Sequence, residues 1–212
     1  MRITKFGHSC LLIEEQSAKL LLDPGSFSHD LDTVAGLDAI LITHQHADHV
    51  DPVMLRRLLT DNSMATVYTE SQTVAMLAQE GIEAQTVRDG DEVDIKGVRV
   101  RVIGQDHAVI ARDIPVIGNV GFLIAERFFY PGDALTVPPA AIDILAFPAG
   151  APWMRIEEAM DYLRAIKPKI AIPVHDGIFA QPGLFNGLFV AAAKEAGAQL
   201  RSLDDGKAAD FK

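Results

Sequence analysis

Apolar residues fall along this chain in short blocks separated by polar turns, a pattern of strands with helices at intervals. The first part predicts extended runs at Ile3–Phe6, Cys10–Glu14 and Lys19–Leu22, the last stopped by the turn Asp23-Pro24-Gly25. Ala39–Ile42 has no polar position, so both of its faces must enter the core. A helix is predicted from Pro52 to about Leu59, with Asp51 as N-cap and proline at the first helical position. Ser71 is expected to cap a second helix, which runs to Glu80 and stops at Gly81. Val93–Ile95 and Val98–Val102 predict a hairpin across Lys96-Gly97. Val120–Ala125 and Phe128–Tyr130 predict another, and Ile142–Phe147 a second buried strand.

The C-terminal third reads as helix, strand, helix. Ala159, Leu163 and Ile166 share one face of a helix over Glu157–Ile166, which ends before Pro168. Ile170–Val174 is a strand, and Leu184, Phe185, Leu188, Phe189 and Ala192 form a helical apolar stripe. Many strands with interspersed helices predict two sheets packed face to face, with helices on the outside. No linker, composition shift or sequence repeat divides the chain, so a single domain over 1–212 is expected.

Composition narrows the classes. The chain has 212 residues, is 49% hydrophobic and has a mean hydropathy of +0.15, which is globular rather than disordered. No apolar run is long enough for a membrane helix, and the N-terminus lacks the apolar stretch of a secretory signal, so a cytoplasmic protein is expected. The single cysteine, Cys10, lies in an apolar segment and reads as a small core residue in a reducing compartment. A net charge of −10, with scattered lysines and arginines, argues against nucleic acid or an anionic membrane as partner. A small-molecule substrate is the expectation, and homo-oligomerisation is left open.

The chemistry is concentrated in His44-Gln-His46-Ala-Asp48-His49, between a buried strand and a capped helix. The run therefore forms a loop at a strand's carboxyl end, a common position for functional groups. Residues two apart in extended chain point the same way, so His44 and His46 can reach one ion together. Asp48 and His49 follow where the chain turns and can address a second ion. Imidazole and carboxylate suit zinc or a similar divalent cation. His107, Asp133 and His175 each follow a strand as well. If Asp133 bridges, these residues supply three ligands to each of two ions and leave a position for water.

The order H-x-H-x-D-H, a lone histidine, Gly-Asp, then a histidine after an apolar strand resembles the metallo-β-lactamase superfamily, over nearly the whole chain. The resemblance implies an α/β (α+β) fold: a four-layer αββα sandwich of two mixed β-sheets with helices outside. It implies His44, His46 and His107 on one metal and Asp48, His49 and His175 on the other, with Asp133 bridging. Asp23 matches an outer position that hydrogen-bonds a ligand histidine. Gly7-His8-Ser9, Asn119-Val-Gly-Phe122, Pro148-Ala-Gly-Ala151 and the segment ending at His175 resemble the branch of small hydrolases similar to ascorbate-6-phosphate lactonase. Ala151 and Asp176 stand where that branch is expected to carry glycine and an aromatic residue.

What this implies is a hydrolase in which two divalent ions, zinc first and manganese or iron as alternatives, activate a water for attack on a carbonyl or phosphoryl ester. Asp48 and Asp133 are the expected catalytic carboxylates, Asp48 orienting the water and Asp133 bridging the ions. True β-lactamases of this fold usually carry Cys or Ser where this chain has Asp133. One rival is a mononuclear iron oxygenase resembling persulfide dioxygenase; another is a non-enzymatic metal-binding module. His8 reads equally as a pocket residue or a turn cap. Asp51 reads as a helix cap, His29 as a surface residue, Trp153 and Phe179 as packing, and Arg112 and Arg155 as solvated charge.

Overall fold

Strand alternation organises this protein from its first residues. The computed structural model describes residues 1–203 and 206–212. Strands β1 (Arg2–Phe6), β2 (Cys10–Glu15) and β3 (Ala18–Leu22) form an antiparallel meander. β4 (Ala39–Leu41), β5 (Thr66–Thr69) and β6 (Gln85–Thr86) extend it in parallel. The crossovers carry helices α1 (Pro52–Asp61) and α2 (Ser71–Gln79), as parallel pairing requires.

The second half follows the same plan. β7 (Glu92–Ile95), β8 (Val98–Ile103), β9 (Gly121–Ile124) and β10 (Phe128–Tyr130) pair antiparallel. β11 (Ile144–Pro148), β12 (Ile170–Val174) and β13 (Gln199–Leu200) then add in parallel, around helices α3 (Ile156–Ile166) and α4 (Asn186–Glu195). A last short strand, β14 (Ala209–Asp210), returns to pair with β1. The described residues thus form two mixed seven-stranded sheets, in a topology repeated without any repeat in sequence.

Three apolar layers make the αββα sandwich. Leu20, Leu22, Ala39 and Leu41 of one sheet meet Phe128, Tyr130, Ile144 and Ala146 of the other in the central layer. Their neighbours in sequence point outward. Leu21, Ile40 and Ile42 pack with Leu55 and Leu58 of α1 and Leu77 of α2. Phe129, Leu145 and Phe147 pack with Ala159 and Leu163 of α3 and Phe189 of α4. The unbroken apolar runs follow from this, because each sheet is covered on both faces. Cys10 belongs to the outer layer beside α1 and is fully buried, as a core residue should be.

Local chemistry sets the ends. Asp51 caps α1, accepting from the backbone N–H of Val53 at 2.8 Å and Met54 at 3.1 Å. Lys96 and Gly97 turn between β7 and β8 with φ of 52° and 85°, the left-handed pair a tight hairpin needs. Two expectations shift. Glu70, not Ser71, caps α2: its carboxylate accepts from the N–H groups of Gln72 and Thr73, and Ser71 is the first helical residue. The expected apolar stripe also overreaches α4, which starts at Asn186. Phe189 and Ala192 are buried, but Leu184 and Leu188 are 59% and 48% exposed, because the helix packs through Phe189, Ala192 and Ala193.

Candidate metal centre

Five loops at carboxyl ends of strands converge on one rim of the sandwich. Asp23 follows β3, the His44–His49 run follows β4, His107 follows β8, Asp133 follows β10 and His175 follows β12. The two sheets are tied together there, since the Val120 N–H donates to the Thr43 carbonyl at 3.0 Å. The Ala108 N–H donates to the Asp133 carbonyl at 2.9 Å, fixing the two loops of the second sheet to each other. Asp23 and His175 both sit in the left-handed region, with φ of 44° and 59°. A non-glycine residue held there is uncommon and costs about 1–3 kcal/mol, which the surrounding bonds must offset.

All seven sequence-predicted ligand residues come together. Donor atoms of His44, His46 and His107 lie within 4.8 Å of one another, and so do those of His44, His49 and Asp133. Asp48, His49 and His175 form a third such group, joined by His8. Asp133 reaches both sides: its Oδ1 is 3.2 Å from His49 Nε2, and its Oδ2 is 3.2 Å from His175 Nε2 and 3.5 Å from His107 Nε2. Asp48 Oδ2 is 3.4 Å from His175 Nε2. His44 Nε2 and His46 Nδ1 are 3.0 Å apart, close enough to share one cation or one proton. His46 and Asp48 are partly exposed and give the cluster its open side; the other five are buried.

Outer hydrogen bonds decide which nitrogen of each imidazole faces inward. His107 Nδ1 lies 2.6 Å from the Ala108 carbonyl, and His175 Nδ1 lies 2.7 Å from the Gly150 carbonyl. A carbonyl only accepts, so each Nδ1 carries a hydrogen and each Nε2 is the nitrogen turned towards the cluster. Asp23 Oδ2 does the same for His49, at 2.6 Å from Nδ1. Asp23 also accepts from the Thr43 N–H at 2.8 Å and the Thr43 hydroxyl at 2.7 Å. With its hydrogen given to Asp23, the Thr43 oxygen accepts from His44 Nδ1 at 2.9 Å. One buried carboxylate thus fixes the orientation of two histidines. Asp23 thus hydrogen-bonds His49 directly and reaches His44 through Thr43.

Charge follows from these contacts. Burial pulls His49 down, but the carboxylates of Asp133 and Asp23 outweigh it and hold the imidazole well above its ordinary range. Burial also opposes the charge on His175, yet the nearby carboxylates of Asp133 and Asp48 push its pKa up to about 9. Burial works to raise Asp133 and Asp48 as well. The histidines around them prevail and keep both carboxyls below the carboxylate range. His44, buried beside the positive His49, lies well below the usual histidine value. Carboxylates and imidazoles packed this closely are the donor chemistry of a cation site.

Sequence reasoning missed several contributors. The Trp153 indole N–H donates to Asp133 Oδ2 at 2.8 Å, so this residue is tied to the site rather than simply packed. Asn119 accepts from the Asp133 N–H at 3.0 Å and donates to the Pro131 carbonyl at 2.8 Å, holding the turn that carries Asp133. Phe179 packs on Phe185, and Arg112 and Arg155 pair with neighbouring acids at the surface, as expected. His29 is exposed beside Asp30. His8 lines a cleft of about 630 Å³ with Lys5, Phe27 and Gly177, and its ring faces His175 at 3.9 Å.

Gly25 marks a turn in the sequence, and in the structure its backbone lies tightly against the His44–His49 loop. A Cβ there would lie 2.0 Å from the Asp48 carbonyl carbon and 2.4 Å from the His49 nitrogen. Gly25→Ala must therefore displace the ligand loop. We expect a loss of about 3 kcal/mol, read as a fall in Tm of about 6–12 °C. An unchanged melting temperature would show that the loop can shift freely.

A family model described as a beta-lactamase superfamily domain matches residues 2–175. A protein of Mycobacterium tuberculosis is 49% identical over 185 residues, covering 85% of this chain and 86% of that protein. A metal-dependent hydrolase of Carboxydothermus hydrogenoformans is 25% identical over 225 residues and 98% of each chain. Among solved structures, a metallo hydrolase from the archaeon Ignicoccus hospitalis aligns with a TM-score of 0.76 at 19% identity, over 100% of this chain and 99% of that one. That last likeness is one of fold.

Proposed function

The chain belongs to the metallo-β-lactamase superfamily, and on that premise we propose that it is a hydrolase working through two divalent cations held by seven side chains. His44, His46 and His107 would hold one ion, Asp48, His49 and His175 the other, and Asp133 would be shared between them. The observation that carries this reading is a set of buried polar atoms without partners. His49 Nε2, His107 Nε2, His175 Nε2 and Asp133 Oδ1 are all buried with no hydrogen-bond partner, and all face the same small volume. Leaving one such group unsatisfied costs about 1–3 kcal/mol. Four together are explained by a cation that takes their lone pairs.

Such ions supply a Lewis acid and a water acidified towards a pKa of about 7. The chain's own residues do the rest. Asp133 spans both groups of histidines and sets the spacing of the two positions. Asp48, on the open side, can accept a hydrogen bond from a nucleophilic water and aim it at the substrate. Asp23 and Thr43 lock the imidazoles that must not turn as charge develops. A small carbonyl or phosphoryl ester is the proposed substrate, of lactone or phosphodiester type, with zinc as the first expectation.

The test is a panel of lactone, phosphodiester and thioester substrates, assayed with protein stripped of metal and then reloaded with zinc or manganese. Hydrolysis of at least one class, lost on stripping and regained on loading, is the expected result. Oxygen uptake by the iron-loaded protein, with no hydrolysis under any loading, would overturn the reading.

A pH dependence follows from the proton-loaded histidines. His175, with its pKa at about 9, and His49, also raised, keep their protons at neutral pH until an ion displaces them. Filling the site at pH 7 should therefore release about two protons per chain. Groups with raised pKa values compete less as pH rises, so apparent zinc affinity should climb as pH rises from 7 through about 9. Calorimetric titration in buffers of different ionisation enthalpy measures the release. Zinc binding with no proton release would contradict this charge assignment.

A further inference from the structure

His8 is the one histidine whose ring meets the cluster without a place among the seven ligands, and its surroundings fix what it can do. Its nitrogens could in principle join Asp48, His49 and His175 around an ion, since all four groups have donor atoms within 4.8 Å. The opposite side of the ring decides against this. The Gly177 N–H points at His8 Nδ1 from 3.0 Å. An amide N–H can only donate, so Nδ1 holds the lone pair and Nε2 carries the hydrogen. A neutral imidazole has one lone pair, and here it is used. Nε2 is buried without a hydrogen bond, and Asp48 Oδ2 lies 3.4 Å from it.

We propose that His8 is a positioning residue for Asp48: its Nε2–H donates to the Asp48 carboxylate and leaves the remaining lone pairs of that group for the ion and for water. The proposal rests on the reading of Asp48 as a metal ligand.

The backbone around it is built for this donation. The His8 carbonyl accepts from the His175 N–H at 2.9 Å, and the hydroxyl of Ser9 donates to the Asp48 carbonyl at 2.9 Å. The turn after β1 is thus bonded both to the ligand loop and to the end of β12. Gly177 must come close: a Cβ there would lie 3.1 Å from His8 Nδ1 and 3.1 Å from its Cβ. Between His175 and Gly177, the carboxylate of Asp176 is held by Lys5 at 2.5 Å, both side chains 9% exposed. A buried ion pair of this kind favours one arrangement, because breaking it strands a charge. Lys5 and Asp176 therefore hold the loop that presents the Gly177 amide, and that amide sets the tautomer of His8. At 3.4 Å the approach to Asp48 is long, and a small turn of the Asp48 carboxylate brings it within hydrogen-bond reach.

The experiment compares His8→Ala and His8→Gln with the wild-type chain, using zinc titrated against a chromophoric chelator to resolve the dissociation constant of each ion. The Gln side-chain amide can donate from near the position of Nε2 but not replace an imidazole ligand. His8→Ala should keep the wild-type zinc stoichiometry and weaken one ion about 10–100-fold, the usual effect of losing a partner that orients a ligand. His8→Gln should recover most of that loss, with kcat recovering alongside and KM little changed throughout. Loss of a whole equivalent of zinc in His8→Ala, with no recovery by Gln, would make His8 a ligand and overturn the proposal. Unchanged affinity in both variants would overturn it as well. Asp48→Ala is the separate control: if it binds zinc as the wild type does, the ligand reading of Asp48 fails independently of His8.

Discussion

Asp133→Ala is expected to abolish hydrolysis and to remove tight binding at both metal positions. Its carboxylate touches both sides of the cluster, with Oδ1 against His49 and Oδ2 against His107 and His175. Removing it takes a negative charge from between three imidazoles that otherwise have Asp48 and Asp23 as their nearby anions. Loss of several kcal/mol of charge stabilisation corresponds to a fall in kcat/KM of about 1,000-fold or more. His46→Ala makes the contrast, because His46 is half-buried and grouped only with His44 and His107. That variant should lose one equivalent of metal and retain the other. Elemental analysis of the two purified variants, beside their kcat/KM, measures both outcomes. Equal metal loss in the two would show that Asp133 does not bridge.

The second large effect is at Asp23, which touches neither the open side nor any proposed ion. Asp23→Ala would leave three buried donors without an acceptor: the Thr43 N–H, the Thr43 hydroxyl and His49 Nδ1–H. At about 1–3 kcal/mol for each unsatisfied group, a loss of about 4 kcal/mol is expected after relaxation. Tm should then fall by about 8–16 °C. The φ of 44° adds to the cost, since alanine tolerates the left-handed region poorly while aspartate and asparagine accept it. Zinc affinity should drop about 10–100-fold as His44 and His49 lose their fixed orientation. Asp23→Asn separates the two effects: it keeps the backbone conformation and most of the stability, but places a donor or a weaker acceptor against His49. A melting scan and a zinc titration of both variants check this. Wild-type zinc affinity in Asp23→Ala would remove Asp23 from the account.

What the sequence disclosed follows the strength of its physical signals. β4 and β11 were legible because a strand covered on both faces needs an unbroken apolar run. The converging side chains were legible because five histidines and two aspartates follow strands at a specific spacing. The contributions of Trp153 and Asn119 were not, since each depends on how a loop folds back across the rim, and no periodicity encodes that. Gly25 showed as a turn, but a close approach to a segment far along the chain leaves no mark on the sequence. Glu70 was missed as a cap because the adjacent Ser71 offers the more usual capping group. The stripe through Leu184 and Leu188 misled for a related reason: several helical faces fit the same apolar residues, and packing against α3 selects only one. The repeated topology of the two halves was invisible, because a strand order can recur with no matching residue pattern.

The central claim is that the seven converging side chains hold two ions, and zinc titration of the metal-stripped wild-type protein tests it most directly. Two equivalents bound tightly, with hydrolytic activity returning as the second is filled, is the predicted result. Saturation at a single equivalent with full activity would contradict it.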